Sequence, residues 1–266
     1  VTVLVGRYRL SEPIAQGNLG TLWHCVDEST GAAVAAKTLR PELLENPGFA
    51  GRLELGWARE MAWIDHPDVV HLDDHGLDPR AGLFLIMEYV PGRSLRQMLR
   101  DDGRLTPARA LELVARIADV LHVVHERGLG HRELRPGKVL VRPDGSVVLS
   151  LFGLSRAVVG NDLWAAGEPG YASPEQVSGE SPTLRSDTFS LGVIAYECLA
   201  GRPAFEGSNP LEVALRVVRD SPPRLPANVP DEVRALVDRA IEKDPAARWP
   251  TAAAFAHAAR AVNAGP

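Results

Sequence analysis

The sequence has little of several things, and each shortage removes a class of function. Only two cysteines occur in 266 residues, Cys25 and Cys198, and no C-x-x-C pairs them. That excludes a disulfide framework and metal–thiolate sites, and it fits a reducing cytosol. No excess of positive charge exists: 29 Lys and Arg face 34 Asp and Glu, a net charge of −5. A chain of that balance lacks the basic field that nucleic acid or anionic lipid would need, so neither is expected as a partner. Long apolar runs are missing too. The opening VTVLVGRYRL is too short for a signal peptide, and the most apolar stretch, Ser190 to Ala200, is interrupted by Tyr196 and Glu197. The reading is of a soluble, cytoplasmic protein. What remains is 45% hydrophobic and 24% charged, ordinary for a chain that buries a sizeable core.

The first ninety residues read as short strands around one helix. "RYRLSEPIA", "GTLWHCVDE", "GAAVAAKTL" and "GLFLIMEYV" are strand-like between Gly, Pro and Ser-Thr-Gly breaks. Phe49 to Asp65 has helical periodicity, with Trp57, Met61 and Ile64 on one face. After "EYVPGRS" long helices take over. Thr106 and Pro107 start one, and Leu111, Val114, Ile117, Leu121 and Val124 repeat at helical spacing until Gly128. Further helices are expected at Ser186 to Ala200, Asp231 to Lys243 and Thr251 to Asn263.

Along this frame lie five segments in a set order: "IAQGNLGTL" from Ile14, "VAAK" ending at Lys37, "HRELRPGK" from His131, "LFG" from Leu151, and "GYASPEQ" from Gly170. The chain thereby resembles the eukaryotic-like Ser/Thr protein kinases, particularly the bacterial ones, over nearly its whole length. The resemblance implies an α+β, bilobal protein-kinase-like fold in one domain, residues 1–266. It would comprise a β-rich lobe over about 1–88, a hinge over about 88–92 and a helical lobe over about 93–266.

Site roles follow from the same resemblance. Gly17 and Gly20 would let backbone approach phosphate, and Lys37 would reach the α- and β-phosphates. Leu22, Ala35 and Leu140 would sandwich adenine, Met87 would back the pocket, and Glu88 and Val90 would offer main-chain groups to the adenine edge. Leu72, Met61, His131 and Phe152 would form a stacked spine, Asp187 would anchor the catalytic loop, and Glu175 and Arg248 would make a buried ion pair. Counting back from His66-Pro67, the usual glutamate partner of Lys37 falls on Trp57, between Glu54 and Glu60, so that ion pair is expected to be absent or reached from a shifted helix.

Departures concentrate where chemistry is expected. Glu133 stands where the family has Asp, Lys138 where it has a metal-binding Asn, and Leu151 where it has a metal-binding Asp. A lysine is donor-only and a leucine has no oxygen, so neither ligates Mg²⁺. Arg135 and Glu168 replace the loop Lys and the threonine of the activation segment, and their charges suit a pair. These substitutions lead to the expectation of a pseudokinase that binds an unidentified protein partner as regulator or scaffold. ATP would bind without Mg²⁺, and no metal is expected. Two arrangements of Lys138 stay open: with Lys37 it neutralises phosphate, or it pairs with Glu133 and plugs the phosphate end. The alternative function is a weakly active ATP-dependent Ser/Thr kinase with an atypical catalytic loop. A third is another phosphoryl or nucleotidyl transfer with the nucleotide reversed.

Overall fold

The computed structural model describes residues 2–45, 64–150 and 168–265. Met61, Leu151, Phe152 and most of the helix expected over Phe49 to Asp65, Trp57 included, lie outside that set. The described residues group into two compact units, the first ending at Pro91 and the second beginning at Gly92.

The first unit is a six-stranded antiparallel sheet. In chain order its strands are β1 (Val3–Leu4), β2 (Tyr8–Gly17), β3 (Gly20–Asp27), β4 (Ala33–Leu39), β5 (Leu72–Asp78) and β6 (Gly82–Glu88). Their spatial order is β1-β2-β3-β4-β6-β5. Period-two alternation decides which side chains meet. Cys25 lies opposite Val34, and Ala36 lies between Trp23 and Ile86. These residues join Leu4, Tyr8, Leu10 and Phe84 in one buried cluster. The strand β6 is apolar from Leu83 to Met87 and buried throughout, as a strand covered on both faces must be. Polar ties close the edge of the cluster: the Tyr8 hydroxyl donates to Asp74 at 2.5 Å, and Arg7 grips Asp27 through two hydrogen bonds.

The second unit is helical around a three-stranded hairpin sheet, β7 (Arg93–Ser94), β8 (Val139–Val141) and β9 (Val147–Leu149). Seven helices are described: α1 (Leu95–Asp102), α2 (Pro107–Glu126), α3 (Pro174–Val177), α4 (Leu184–Ala200), α5 (Pro210–Arg219), α6 (Asp231–Ala240) and α7 (Ala252–Ala264). Caps set their starts. The Ser94 hydroxyl accepts from the Gln97 N–H, and the Gln97 side chain accepts from the Ser94 N–H. Thr106 caps α2 ahead of Pro107. The helix α4 is buried on nearly every face, which places it at the centre of the unit. Gly192 makes that possible, because a Cβ there would come within 2.6 Å of the Ala240 Cβ on α6.

One helix ends earlier than its pattern predicts. The spacing carries α6 to Lys243, yet it stops at Ala240. Beyond the stop, the Arg248 guanidinium takes the carbonyls of Glu242 and Lys243 at 2.7 and 2.9 Å, giving that stretch of chain partners outside the helix. Among the described residues, no helix is long and apolar enough to cross a membrane.

Candidate active site

In the first unit, the strand register puts Leu22, Ala35, Lys37 and Met87 on one face of the sheet. Leu22 pairs with Lys37, Ala35 with Met87, and Met87 in turn with Leu72 on β5. Ala35, Met87 and Val90 are buried, while Leu22 and Lys37 are half-buried. The Lys37 ammonium donates to the Gly20 carbonyl at 2.9 Å, which ties the lysine to the end of the β2–β3 hairpin. The Glu88 N–H donates to the His71 carbonyl at 3.1 Å.

The two hairpin glycines differ in kind. Gly20 has φ +142°, and a Cβ there would lie 2.0 Å from the Thr38 carbonyl oxygen on the neighbouring strand. Its missing side chain is demanded by the sheet itself. Nothing lies within 4 Å of a Cβ at Gly17, so the structure places no such demand on that position.

In the second unit, Asp187 on α4 organises the loop from His131 to Lys138. It is fully buried, and its carboxylate accepts the backbone N–H groups of His131 and Arg132, both at 2.7 Å. A third bond joins it to His125 Nε2 at 2.8 Å. Burial alone would raise the Asp187 pKa, but these partners bring it below the ordinary carboxylate value. Arg132 follows with φ +62°, a conformation that costs a non-glycine residue about 1 kcal/mol or more. The turn is held from both sides, since Gln176 Nε2 donates to the Arg132 carbonyl at 2.8 Å while Asp187 takes its N–H.

This turn presents Glu133. Its backbone N–H donates to His131 Nδ1 at 3.3 Å, and its carboxylate lies 4.0 Å from Lys138 Nζ and 3.9 Å from Arg135 Nη2. Lys138 is buried, which lowers its pKa, and the nearby Glu133 carboxylate opposes that shift. Arg135 Nη1 also donates to Glu168 at 3.0 Å, and Arg96 from the first turn of α1 bonds the other oxygen of the same carboxylate. Leu140, on β8, pairs with Ser94 and Val148. Further along, Arg248 holds Glu175 through two bonds of 2.8 Å, with Ser186 donating to the same carboxylate at 2.6 Å. Burial opposes the ionisation of Glu175, and these partners lower its pKa.

Sequence reasoning missed Arg96, Gln176 and His125. Arg96 sits in a polar helix 72 residues from Glu168 and carries no motif, so nothing local signals it. His125 lies at the end of α2 beside apolar positions and reads there as part of the helix face. Gln176 was visible only as the residue after the Pro-Glu pair.

Residues 8–259 match the family described as protein kinase domain. The Ser/Thr protein kinase PknA of Mycobacterium tuberculosis is 36% identical over 270 residues, covering 98% of this chain and 62% of that protein. PknB of Mycolicibacterium smegmatis is 35% identical, over 94% of this chain and 42% of that protein. The chain thus spans about three fifths of PknA and less of PknB. Among solved structures, a mutant form of the PknI kinase domain of Mycobacterium tuberculosis aligns over 99% of this chain and 98% of its own. The TM-score there is 0.76, at 26% identity.

Two expectations are corrected by these relatives. A non-enzyme was expected from Glu133, Lys138 and Leu151, but whole-chain relatives at 35–36% identity are named as Ser/Thr protein kinases, which points to an enzyme. Metal-free nucleotide binding is overturned on the same ground, because kinases of this family work with ATP and Mg²⁺. The residues at that metal's usual positions do not fit it: Lys138 offers only donors, and Leu151 has no oxygen in its side chain. No step is therefore routed through it. With its β-rich first lobe, its helical second lobe and its match over residues 8–259, the chain belongs to the protein kinase domain family.

Proposed function

We propose that this domain transfers the γ-phosphoryl group of ATP to a Ser or Thr hydroxyl of a protein substrate, using Glu133 as the carboxylate that receives that hydroxyl. The observation that carries the reading is the loop held by Asp187, which sets the Glu133 carboxylate within 3.9–4.0 Å of two cations, Arg135 and Lys138. A carboxylate so placed accepts a hydrogen bond from the acceptor O–H and orients its oxygen. That oxygen bonds to the γ-phosphorus as the bond from phosphorus to the bridging oxygen breaks, leaving ADP. The proton passes to Glu133 and then to solvent. Lys37 and the hairpin glycines of the first unit are the groups assigned to the phosphates. Glutamate is one methylene longer than aspartate, and a displacement of about 1 Å costs about 10²-fold in rate, so turnover below the family norm is expected.

The test supplies ATP labelled on the γ-phosphate, with Mg²⁺ or Mn²⁺, to the wild-type domain and generic protein substrates. Label on Ser or Thr is expected, and it should be lost in Glu133→Gln and in Lys37→Met. No incorporation with either metal, or incorporation indifferent to both substitutions, overturns the proposal. In a parallel reaction with ATP labelled on the α-phosphate, transfer of that label would instead identify nucleotidyl transfer.

A further inference from the structure

We propose that Arg96 and Arg135 form a subsite for an acidic side chain of the substrate protein, and that the Glu168 carboxylate is the internal group it displaces. This rests on the kinase reading above and names its substrate class.

The two oxygens of Glu168 go to different arginines, Oε2 to Arg96 Nη2 and Oε1 to Arg135 Nη1. The arginines come from separate elements, α1 and the loop after Asp187's anchor points, so their convergence on one carboxylate is a tertiary arrangement. Gly137 lies against both: a Cβ there would be 3.1 Å from Arg135 Nη1 and 3.4 Å from Arg96 Nε. A side chain at 137 would therefore crowd the guanidinium pair, and glycine leaves room for it. Arg135 is mostly buried, and its Nε has no hydrogen-bond partner among the described residues. A planar fork of this kind suits a carboxylate.

Charge and exposure argue for exchange. Arg96, Arg135 and Lys138 face the carboxylates of Glu133 and Glu168. The next acidic group, Glu197, is held by the Tyr171 hydroxyl at 2.6 Å, and burial raises its pKa. The Glu168 and Arg96 side chains are 41% and 45% exposed, and an ion pair open to water is a weak one. An incoming carboxylate can therefore take the place of Glu168 without dismantling the cradle. The ligand's identity follows from position. Arg135 Nη2 is 3.9 Å from Glu133, the residue assigned to the acceptor hydroxyl, so the anion belongs to the same peptide as that hydroxyl.

The experiment measures binding without turnover. Labelled peptides carrying Ala in place of the acceptor, with Glu, Gln or Lys flanks, are titrated by fluorescence anisotropy at low and high salt. Wild type should prefer the Glu peptide, and added salt should weaken that preference. Glu168→Gln removes the internal competitor and should tighten the Glu peptide by about fivefold, the scale of an exposed ion pair. Arg96→Gln should erase the preference. Both altered side chains are half-exposed, so an unchanged melting temperature checks that the fold is intact. Equal binding of the three peptides, a preference for Lys, or a Glu168→Gln variant with unchanged Glu-peptide affinity overturns the subsite. Acidic preference in a protein that transfers no phosphate would leave the subsite standing and sink the kinase reading instead.

Discussion

The Asp187 carboxylate accepts the His131 backbone N–H at 2.7 Å across 56 residues of chain, and the same oxygen meets His125 Nε2 at 2.8 Å. One fully buried side chain thus fastens to α4 both the end of α2 and the start of the loop that carries Glu133. Asp187→Ala would strand two backbone donors and a histidine nitrogen in an apolar interior. Each such loss costs about 1–3 kcal/mol, so urea unfolding should show a loss of at least about 3 kcal/mol. A loss below about 1 kcal/mol would mean that the loop is held elsewhere.

Glu175 and Arg248 are both buried and bonded twice, at 2.8 Å each. Arg248→Met leaves the carboxylate with the Ser186 hydroxyl as its one side-chain donor among the described residues, and should cost about 3–5 kcal/mol. Replacing both partners, Glu175→Leu with Arg248→Met, removes the uncompensated charge and should recover a large part of that loss. The comparison is a double-mutant cycle in urea. A double variant as unstable as the sum of the singles would show that Arg248 acts through the carbonyls of Glu242 and Lys243 instead of through the ion pair.

The hairpin glycines should separate in a melting experiment without nucleotide. Gly20→Ala forces a Cβ to within 2.0 Å of the Thr38 carbonyl oxygen, so β3 and β4 must part and stability falls. Gly17→Ala meets nothing within 4 Å and should leave the melting temperature nearly unchanged. If Gly17→Ala then weakens ATP binding while the fold stays intact, its glycine serves the ligand. Equal destabilisation by both would contradict the packing argument.

How far the sequence could be read depended on length scale. The helix α2 was readable because Leu111, Val114, Ile117, Leu121 and Val124 are all buried on one stripe behind a Thr-Pro start. The β7–β8–β9 sheet was not, since strands of two or three residues show no period. Helix α1 also escaped, because Leu95–Asp102 is mostly polar and buries only Leu95. In the site, the Glu168–Arg135 contact could be anticipated from a carboxylate standing where the family has threonine and a cation retained at 135. Arg96 could not, because its approach depends on how α1 packs across Gly137. The expectation of a non-catalytic, metal-free domain failed for a different reason. It rested on three side chains taken together, Glu133, Lys138 and Leu151, whereas relatives at 35–36% identity over nearly the whole chain are named as Ser/Thr protein kinases.

His131 provides the test in pH. The ring is fully buried, and burial pushes its pKa down to about 4 from the usual 6.5. In the unfolded chain it takes up a proton near 6.5; in the fold it stays neutral until about 4. Between these values the unfolded state binds more protons, so stability falls as the solution is acidified through that window, by about 1.4 kcal/mol per pH unit. Above 6.5 both states are neutral, and His131 adds no slope. Other acid-sensitive groups are removed by difference: the slope for wild type minus that for His131→Phe, each from urea unfolding at several pH values, isolates this ring. The larger phenyl group shifts absolute stability, but only the slope is compared. Equal slopes in the two proteins between pH 4 and 6.5, or a native-state NMR titration of the His131 ring near 6.5, would refute the assignment. A refuted assignment would also mean that His131 can carry charge beside Asp187, and that the acid sensitivity of the fold arises elsewhere.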